Sequence, residues 1–429
     1  MAHPDTRGAA TGTGDRSRPR AVLPALCVTQ ITGWGIVYYA FPVLLSRITA
    51  DTGWSAGTVT AAFSAALLVS AAAGIPVGRV LDRRGPRAVM TGGSVLAVLA
   101  LLTVAAAPGP VVFLAGWTAA GVAMAATFYH PAFAAVTRWW GPDRVRALTV
   151  VTLAGGLAST VFAPLTAALA EHLSWRATYA VLAAVLAVVT VPTHALALRA
   201  PWPPAPAPAP AAAPDPGGRP GAKTPRTARS RPFLLLAAAL TLSGFAMYAV
   251  VIGLVPLMTE RGADTTTAAW ALGLGGAGQT LGRTLYATLA RRTGPTARTA
   301  LLMAAGGVTT AALALVPGPV AVLVLLAVMA GVVRGNLTLL QATAVSDRWG
   351  TADYGRLSAL LTAPATVAAA LAPWAGAALA GGPLGGYDGL FVALAACSAA
   401  AVLLALASGR RTPPGGAPPT GGPRAVSGH

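Results

Sequence analysis

The segment GRVLDRRGPRAVM, residues 78–90, and its weaker copy ATLARRTGPTAR, residues 287–298, decide how the chain is organised. An offset of 209 residues carries Arg83 of the first segment onto Arg292 of the second. The same offset relates further pairs along the chain: Gly85 and Gly294, Pro86 and Pro295, Gly35 and Gly244, Tyr39 and Tyr248, Gly53 and Gly262, Gly141 and Gly350, Pro164 and Pro373. Single matches arise by chance in a chain rich in Ala and Gly. One constant offset across several loops and helices indicates two related halves.

The composition is that of a membrane protein. Hydrophobic residues make up 55% of the chain and charged residues only 10%, whereas soluble domains carry about 25% charged residues. Apolar runs of about 20 residues, the length that crosses a bilayer, begin near residues 21, 57, 88, 110, 147, 176, 232, 267, 297, 319, 354 and 387. The first run is too long for the apolar core of a signal peptide, so we predict a retained transmembrane helix.

These patterns predict an all-α polytopic membrane protein in which twelve transmembrane helices form two pseudo-symmetric six-helix bundles. The bundles are predicted at residues 21–198 and 232–408. The Pro- and Ala-rich residues 199–231 between them are predicted to be an extended cytoplasmic linker. Residues 1–20 and 409–429 are predicted to be cytoplasmic tails, the second of them disordered. Two parallel halves around a central axis are typical of transporters.

The net charge of +18 has a topological explanation. Of the 30 Lys and Arg residues, 25 fall in the two tails and in every second loop, whereas the opposite loops hold only Arg47, Arg176 and Arg261. This is the positive-inside bias of a multi-pass membrane protein, and it predicts the cytoplasmic membrane with both termini in the cytoplasm. A nucleic-acid partner would require a basic patch on a soluble domain, and the pattern argues against one.

The first quoted segment resembles the loop signature of the major facilitator superfamily. Gly78, Asp82, Arg83, Gly85 and Arg87 match that signature. The resemblance implies that this loop braces the two halves in one state of the transport cycle. It also implies that the Asp carboxylate faces the positive end of a neighbouring helix. Topology marking is an alternative explanation of the basic residues. The second copy departs from the signature, since Arg291 replaces the acid.

Helix one contains TGWGIVYYAFPVLL, residues 32–45, which resembles the Gly-Trp-Gly entry of monocarboxylate-porter-like and oxalate/formate-antiporter-like members. The resemblance implies an Arg deep in helix eight that binds the substrate carboxylate, with a polar residue four places earlier. Arg283 and Gln279 stand at those positions. Some relatives add a Lys in helix eleven, and residues 354–380 contain none. That departure argues against a dicarboxylate substrate.

Two arginines lie inside predicted helices. Arg283 precedes the basic cluster at Arg291 by eight residues, about 12 Å along the helix. It therefore either contacts substrate or extends its side chain to the interface. Arg334 lies near the middle of helix ten, where a charge costs at least about 2.5–3.5 kcal/mol and must face protein or water. It shares a helix face with Thr338 and Gln341, and Arg334 and Gln341 are substrate-binding candidates. A packing bond to backbone carbonyls or to Asn336 is the alternative.

The interior cations have no matching acids. None of the twelve Asp and Glu residues falls in the middle third of a predicted helix, so the substrate itself is the simplest counter-ion. A co-transported proton would then travel on the acid group of the substrate or on His130, for which packing beside Pro131 is the alternative role. The offset carries Tyr129 onto the polar face of helix ten, so this tyrosine should face the cavity. Tyr38 and Tyr39 offer polar-aromatic contacts or core packing.

We therefore predict a secondary active transporter that works by alternating access and moves a small organic anion, a monocarboxylate in particular. It is predicted to be a monomer in the lipid bilayer and not an enzyme, with no cofactor and no metal site. The chain has no P-loop for ATP. An alternative is a proton-coupled efflux pump for a larger amphipathic compound, with the arginines structural. A transporter-like membrane sensor is a more distant alternative, since fold does not fix function.

Overall fold

A computed structural model describes residues 19–202, 227–350 and 354–409 of the chain. Within these residues the fold is all-helical, with twelve long helices whose starts lie within three residues of the predicted ones. They are α1 (Val22–Thr52), α2 (Ala56–Arg84), α3 (Pro86–Ala105), α4 (Pro110–Trp140), α5 (Arg144–Gly156 and Ala158–His172), α6 (Trp175–Ala197), α7 (Arg231–Glu260), α8 (Thr265–Arg292), α9 (Pro295–Leu315), α10 (Val320–Thr343), α11 (Tyr354–Ala380) and α12 (Tyr387–Ala407).

Eleven of these helices are long and apolar enough to cross a membrane. The exception is α8, which has 28 residues but contains Gln279, Arg283 and many Gly and Thr residues. These residues lower the mean hydropathy of α8, although the helix is long enough to cross a membrane. The predicted tails and most of the predicted linker lie outside the described residues, so the domain limits drawn from the sequence stay predictions.

The helix ends follow local sequence chemistry. The side chains of Ser55, Ser174 and Asp264 accept the N–H of the residue three places on, and so cap α2, α6 and α8. The hydroxyl of Thr267 and its N–H both donate to Asp264, which lowers the pKa of that carboxyl. One pair of residues related by the 209-residue offset also shares its backbone conformation. Gly53 and Gly262 have φ values of 71° and 83°, in the left-handed region that favours glycine, directly after α1 and α7.

Among the described residues, the apolar core shared by the two bundles lies toward one end of the molecule. We name the end at which α2 finishes at Arg84 and α8 at Arg292 the basic end. The largest buried apolar cluster contains residues from both bundles and extends toward the opposite end. Two smaller clusters lie toward the basic end, one in each bundle. The bundles therefore share a core away from the basic end and have separate cores near it.

Two helix pairs carry the joint between the bundles: α2 packs on α11, and α5 packs on α8. In the first pair the N–H of Trp374 donates to Ser64 Oγ at 3.1 Å. In the second, the hydroxyl of Thr266 donates to the carboxylate of Glu171 near the opposite end. These contacts close the space between the bundles on the side away from the basic end.

Candidate functional site

A cavity of about 550 Å³ lies between the bundles. It is lined by α1, α2 and α4 from the N-terminal bundle and by α7, α10 and α11 from the C-terminal bundle. Its lining in α2 and α11 comes from residues 67–75 and 362–370, which lie nearer the basic end than the contact between Ser64 and Trp374. We name this space the central cavity.

The Gly-Trp-Gly segment of α1 forms one wall of the central cavity. Residues Trp34–Tyr39 form a π-helical stretch, a distortion that is frequent at functional sites. A Cβ at Gly35 would lie only 2.2 Å from the ring of Phe162, so glycine permits the close approach of α1 and α5. Trp34 and Tyr38 both lie on the cavity wall. The Trp34 ring stacks on Phe128 with centroids 4.1 Å apart.

A break in α4 places two neighbouring side chains on the cavity wall. The backbone is extended at Phe128, because Pro131 has no N–H to donate to Thr127 and its ring clashes with that carbonyl. The Thr127 carbonyl accepts instead from Gln30 Nε2 at 2.7 Å. The helix restarts at Tyr129, so Tyr129 and His130 both line the central cavity.

Close packing of α8 on α10 brings a second polar pair together. A Cβ at Gly335 would lie 2.0 Å from the carbonyl oxygen of Gln279, and one at Gly331 would lie 1.9 Å from that of Gly275. Small residues of this kind let membrane helices approach closely. At this crossing Arg334 Nε donates to Gln279 Oε1 at 3.2 Å, while Arg334 Nη2 is buried without an acceptor.

Arg283 bridges the two bundles from α8. Its Nη1 donates to the carbonyl oxygen of Thr152 in α5. Two adjacent glycines of α5 make room for Arg283 and for the hydroxyl of Tyr129. A Cβ at Gly155 would lie 2.4 Å from Tyr129 Oη, and one at Gly156 would lie 3.1 Å from Arg283 Nη1. Gly155 and Gly156 therefore leave a recess in α5 that accommodates the side chains of Arg283 and Tyr129.

The predicted residues fall into two groups. Four of them line the central cavity: Tyr38, Tyr129, His130 and Gln341. Arg334 lines a smaller cavity of about 50 Å³ inside the C-terminal bundle and is not part of the central cavity wall. Arg283, Gln279 and Tyr39 lie outside the lining of both cavities. Thr338 donates its hydroxyl to the backbone carbonyl of Arg334.

The charge balance of the site is positive. Every Asp and Glu among the described residues lies at a helix end or in a loop. Among the described residues, no group of three or more His, Cys, Asp or Glu side chains could hold a metal ion. No carboxylate in the interior of a described helix is therefore available to pair with Arg283 or Arg334.

Sequence reasoning missed three aromatic residues of the cavity wall. Trp34, Phe128 and Tyr248 all line it. A signal was available for two of them. Trp34 is the central residue of the Gly-Trp-Gly motif, and Tyr248 is the repeat partner of Tyr39. No pattern indicated Phe128, since its place depends on the break in α4.

The signature loop after α2 is held within the N-terminal bundle. Asp82 forms an ion pair at 2.8 Å with Arg138, which lies in the last turn of α4. Arg87 Nε donates to the carbonyl of Ala195 in α6 at 2.9 Å. Arg83 is exposed, and a Cβ at Gly78 would meet nothing within 4 Å.

Trp202, at the start of the predicted linker, packs against this loop. Its Nε1 donates to the backbone carbonyl of Asp82 at 3.3 Å. The guanidinium of Arg138 lies 4.5 Å from the centroid of its ring. Gly85 has a φ of 75°, and a Cβ there would lie 3.1 Å from the tryptophan side chain. The chain that leaves α6 is thereby attached to the signature loop.

Twelve helices in two related bundles around a central cavity define a multi-pass membrane transporter. The sequence profile of the Major Facilitator Superfamily matches residues 26–335, and the chain belongs to this family. Members of the family are transporters and not enzymes, as the sequence predicted.

Curated relatives include proteins named monocarboxylate transporter 13. The Bos taurus protein is 30% identical over 334 residues, which cover 76% of this chain and 73% of the relative. The Rattus norvegicus protein is 28% identical over the same length. The branch suggested by helix one is thus supported by similarity that extends well beyond the motif.

Solved structures share the fold at low sequence identity. One is a bacterial homologue of the human lysosomal transporter Spinster in an inward-facing, unoccupied conformation, with a TM-score of 0.74, 14% identity, and coverage of 92% of this chain and 98% of that one. Another is the nucleoside transporter NupG, with a TM-score of 0.70, 14% identity, and coverage of 91% and 100%. At such identities the likeness establishes the fold and leaves the substrate open.

Proposed function

We propose that this transporter moves a small organic anion, a monocarboxylate in particular, by alternating access of the central cavity. The observation that carries the proposal is a set of buried hydrogen-bond donors without acceptors: Trp34 Nε1, Tyr38 Oη and Arg334 Nη2. Leaving a buried donor unsatisfied costs about 1–3 kcal/mol. A carboxylate only accepts hydrogen bonds, so one bound anion would serve several of these groups together.

The charge of the site supports the same substrate class. A cation buried in a membrane protein needs a counter-charge or water, and the described helix interiors supply no carboxylate. A cationic substrate would meet repulsion from Arg334 and Arg283. An anion would meet attraction from both. The relatives named monocarboxylate transporter 13 agree with this class.

Arg334 is proposed as the first contact of the anion, with Gln279 as the residue that orients it. Gln341 and the hydroxyl of Tyr129 would assist from the cavity wall. Arg283 is proposed as a second contact. Its bond to the Thr152 carbonyl crosses between the bundles, so rocking of the bundles would break that bond. The freed guanidinium, with its five N–H donors, would then turn to the anion.

We propose that the protein lies in the cytoplasmic membrane and that its basic end faces the cytoplasm, as the positive-inside rule indicates. The central cavity would then face inward in this structure. A co-transported proton would travel on the substrate as its undissociated acid, or on His130, which is exposed on the cavity wall. A His130→Gln variant whose uptake keeps the pH dependence of the parent protein would assign the proton to the substrate.

The test is the thermal stability of the purified protein with acetate, pyruvate, amino acids and cationic drugs. A ligand of the folded state raises the apparent melting temperature by mass action. We expect a shift with a monocarboxylate that is lost in Arg334→Ala and Arg283→Ala. Arg291→Ala is the matched control, because this arginine of α8 is exposed and its Nη2 donates to the Thr288 hydroxyl of the same helix at 3.2 Å.

Three outcomes would contradict the proposal or its site. A shift only with bulky cations or neutral drugs would identify an efflux pump with structural arginines. A monocarboxylate shift that survives in Arg334→Ala would remove this residue from the site. An equal loss in Arg291→Ala would show that the effect comes from net charge alone.

A further inference from the structure

We infer that the anion carried by the central cavity bears an aromatic ring close to its carboxylate, so that the substrate class is a short arylcarboxylate. The inference rests on the proposed function, because it uses the same cavity and the same anion site. It adds the chemical nature of the rest of the substrate, which neither the charge of the site nor the comparisons specify.

Aromatic side chains are concentrated on the cavity wall. They make up 6% of the chain but five of the nineteen residues that line the cavity: Trp34, Tyr38, Phe128, Tyr129 and Tyr248. The rings come from α1, α4 and α7 and so from both bundles. Trp34, Tyr129 and Tyr248 are only half-buried, which leaves part of each ring free toward the cavity. Aromatic faces and edges favour contact with another ring.

The remaining wall leaves space for a ring. Along α2 and α11 the lining is mostly small, with Ala71 and Gly74 on the first helix and Ala365 and Ala369 on the second. A Cβ at Gly74 would meet nothing within 4 Å. Pockets of about 300–1,000 Å³ suit ligands larger than a two- or three-carbon acid, and the central cavity of about 550 Å³ falls in that range.

The hydrogen-bond donors that need an acceptor belong to the same aromatic wall. Trp34 presents a ring to the cavity and also has a buried, unpartnered Nε1. Tyr38 is 3% exposed and its hydroxyl lacks a partner. The centroids of the Trp34 and Tyr38 rings lie 5.5 Å apart. Because ring faces and donors are neighbours, the ring and the carboxylate of one ligand must also be neighbours.

The first experiment compares three probes of similar size by the concentration dependence of the melting temperature. Phenylacetate has the ring and the charge, cyclohexylacetate has the charge without aromaticity, and phenylacetamide has the ring without the charge. We expect phenylacetate to bind about threefold to tenfold more tightly than cyclohexylacetate, the usual contribution of aromatic contacts. Phenylacetamide should give no shift at the same concentrations.

The outcomes separate this inference from the proposed function. Equal binding of phenylacetate and cyclohexylacetate, or equally tight binding of acetate, would overturn the aromatic class and leave the anion site intact. Equal binding of phenylacetamide and phenylacetate would overturn the anion site itself. Absence of binding by all three probes, with acetate bound, would also overturn the aromatic class.

A matched pair of variants locates the ring contact. Tyr248→Leu removes the ring, whereas Tyr248→Phe keeps the ring and removes only the hydroxyl. The preference for phenylacetate over cyclohexylacetate should fall about threefold or more in the first variant and persist in the second. A preference that persists in Tyr248→Leu would remove this residue from the ring site. If the Leu variant fails to fold, the comparison of probes on the parent protein still decides the inference.

Discussion

At the scale of single residues, Arg334 is a buried charge whose hydrogen bonds are incomplete in the protein without a ligand. Its Nε is bound to Gln279 at 3.2 Å, and its Nη2 is buried with no acceptor. A buried charge that lacks its full set of hydrogen bonds destabilises the folded protein. The energetic cost in the empty protein becomes a gain in affinity when an anion supplies the missing acceptors.

Replacing Arg334 with Met should separate ligand binding from stability. Without ligand, Arg334→Met should melt no lower than the parent protein, since an incompletely bonded charge is replaced by an apolar chain of similar length. Affinity for the anion should fall about tenfold to a hundredfold, the value of a hydrogen bond to a charged group. Melting curves with and without the anion measure both effects. A variant that melts far below the parent protein and keeps its affinity would make Arg334 structural.

The residue scale also shows where sequence reasoning stops. The resemblance of helix one to monocarboxylate-porter-like members implied that Gln279 and Arg283 act as a pair. In the structure Gln279 bonds instead to Arg334 of α10, and Arg283 reaches α5. Spacing within a helix describes one helix face, whereas the partner of a side chain depends on which helix packs against that face. Here the helix that packs against α8 is determined by the glycines through which α8 and α10 approach each other.

At the scale of helices, the pairing of α8 with α10 is the most closely packed of the contacts described above. Carbonyl oxygens of α8 lie where side chains at Gly331 and Gly335 would begin. Backbones in such contact leave no room for even one methyl group. The distance between Gln279 and Arg334 therefore depends on glycines that bind nothing themselves.

Gly335→Ala should destabilise the protein and weaken anion binding together. A Cβ at this position would lie 2.0 Å from the Gln279 carbonyl oxygen, so α8 and α10 must separate. Overpacking of this kind costs about 1–3 kcal/mol. Gly92→Ala in α3 is the control, because a Cβ there meets nothing within 4 Å. Melting temperature and anion affinity are the measurements. Equal behaviour of the two variants would contradict the role given to this crossing.

The contact of Trp202 with the signature loop gives a second prediction at this scale. Trp202→Ala removes a ring that stacks on Arg138 and an N–H that donates to the Asp82 carbonyl. Stability should fall by about 1 kcal/mol, the usual size of a partly exposed cation–π contact with one hydrogen bond. Trp202→Phe keeps a ring and should lose less. Thermal melting compares them, and equal losses would assign the effect to the N–H alone.

At the scale of the whole molecule, the bundles share one apolar core toward the end opposite the basic loops and divide into two cores near the basic end. The hydropathy pattern and the 209-residue offset were sufficient to predict twelve helices and two halves. They could not predict which end is open, because one sequence encodes every state of a transport cycle. The states differ by only a few kcal/mol, and that difference has no local sequence signal.

A reducible cross-link across the end opposite the basic end should stop transport without blocking binding. Glu171 and Thr266 are in hydrogen-bond contact between α5 and α8, so the thiols of Glu171→Cys and Thr266→Cys should lie within reach of a short bis-methanethiosulfonate reagent. Cys27→Ser and Cys397→Ser in the background remove the native thiols. The cross-linked protein should lose anion uptake and keep its ligand-induced melting shift, and reduction should restore uptake. Each single cysteine variant is a control. Uptake that continues in the cross-linked protein would show that this end need not open.

The glycines of α8 also set how much change this helix tolerates over evolutionary time. One face approaches α10 through glycines, a second approaches α5 through glycines, and a third exposes large apolar side chains. The positions on these faces are Gly275, Gly278 and Gly282; Gly273 and Gly276; and Trp270, Leu274, Leu281 and Leu285. Neutral drift should accumulate almost entirely on the third face. A saturation-mutagenesis map of α8 should therefore show a helical stripe of permissive positions between two stripes at which glycine alone survives.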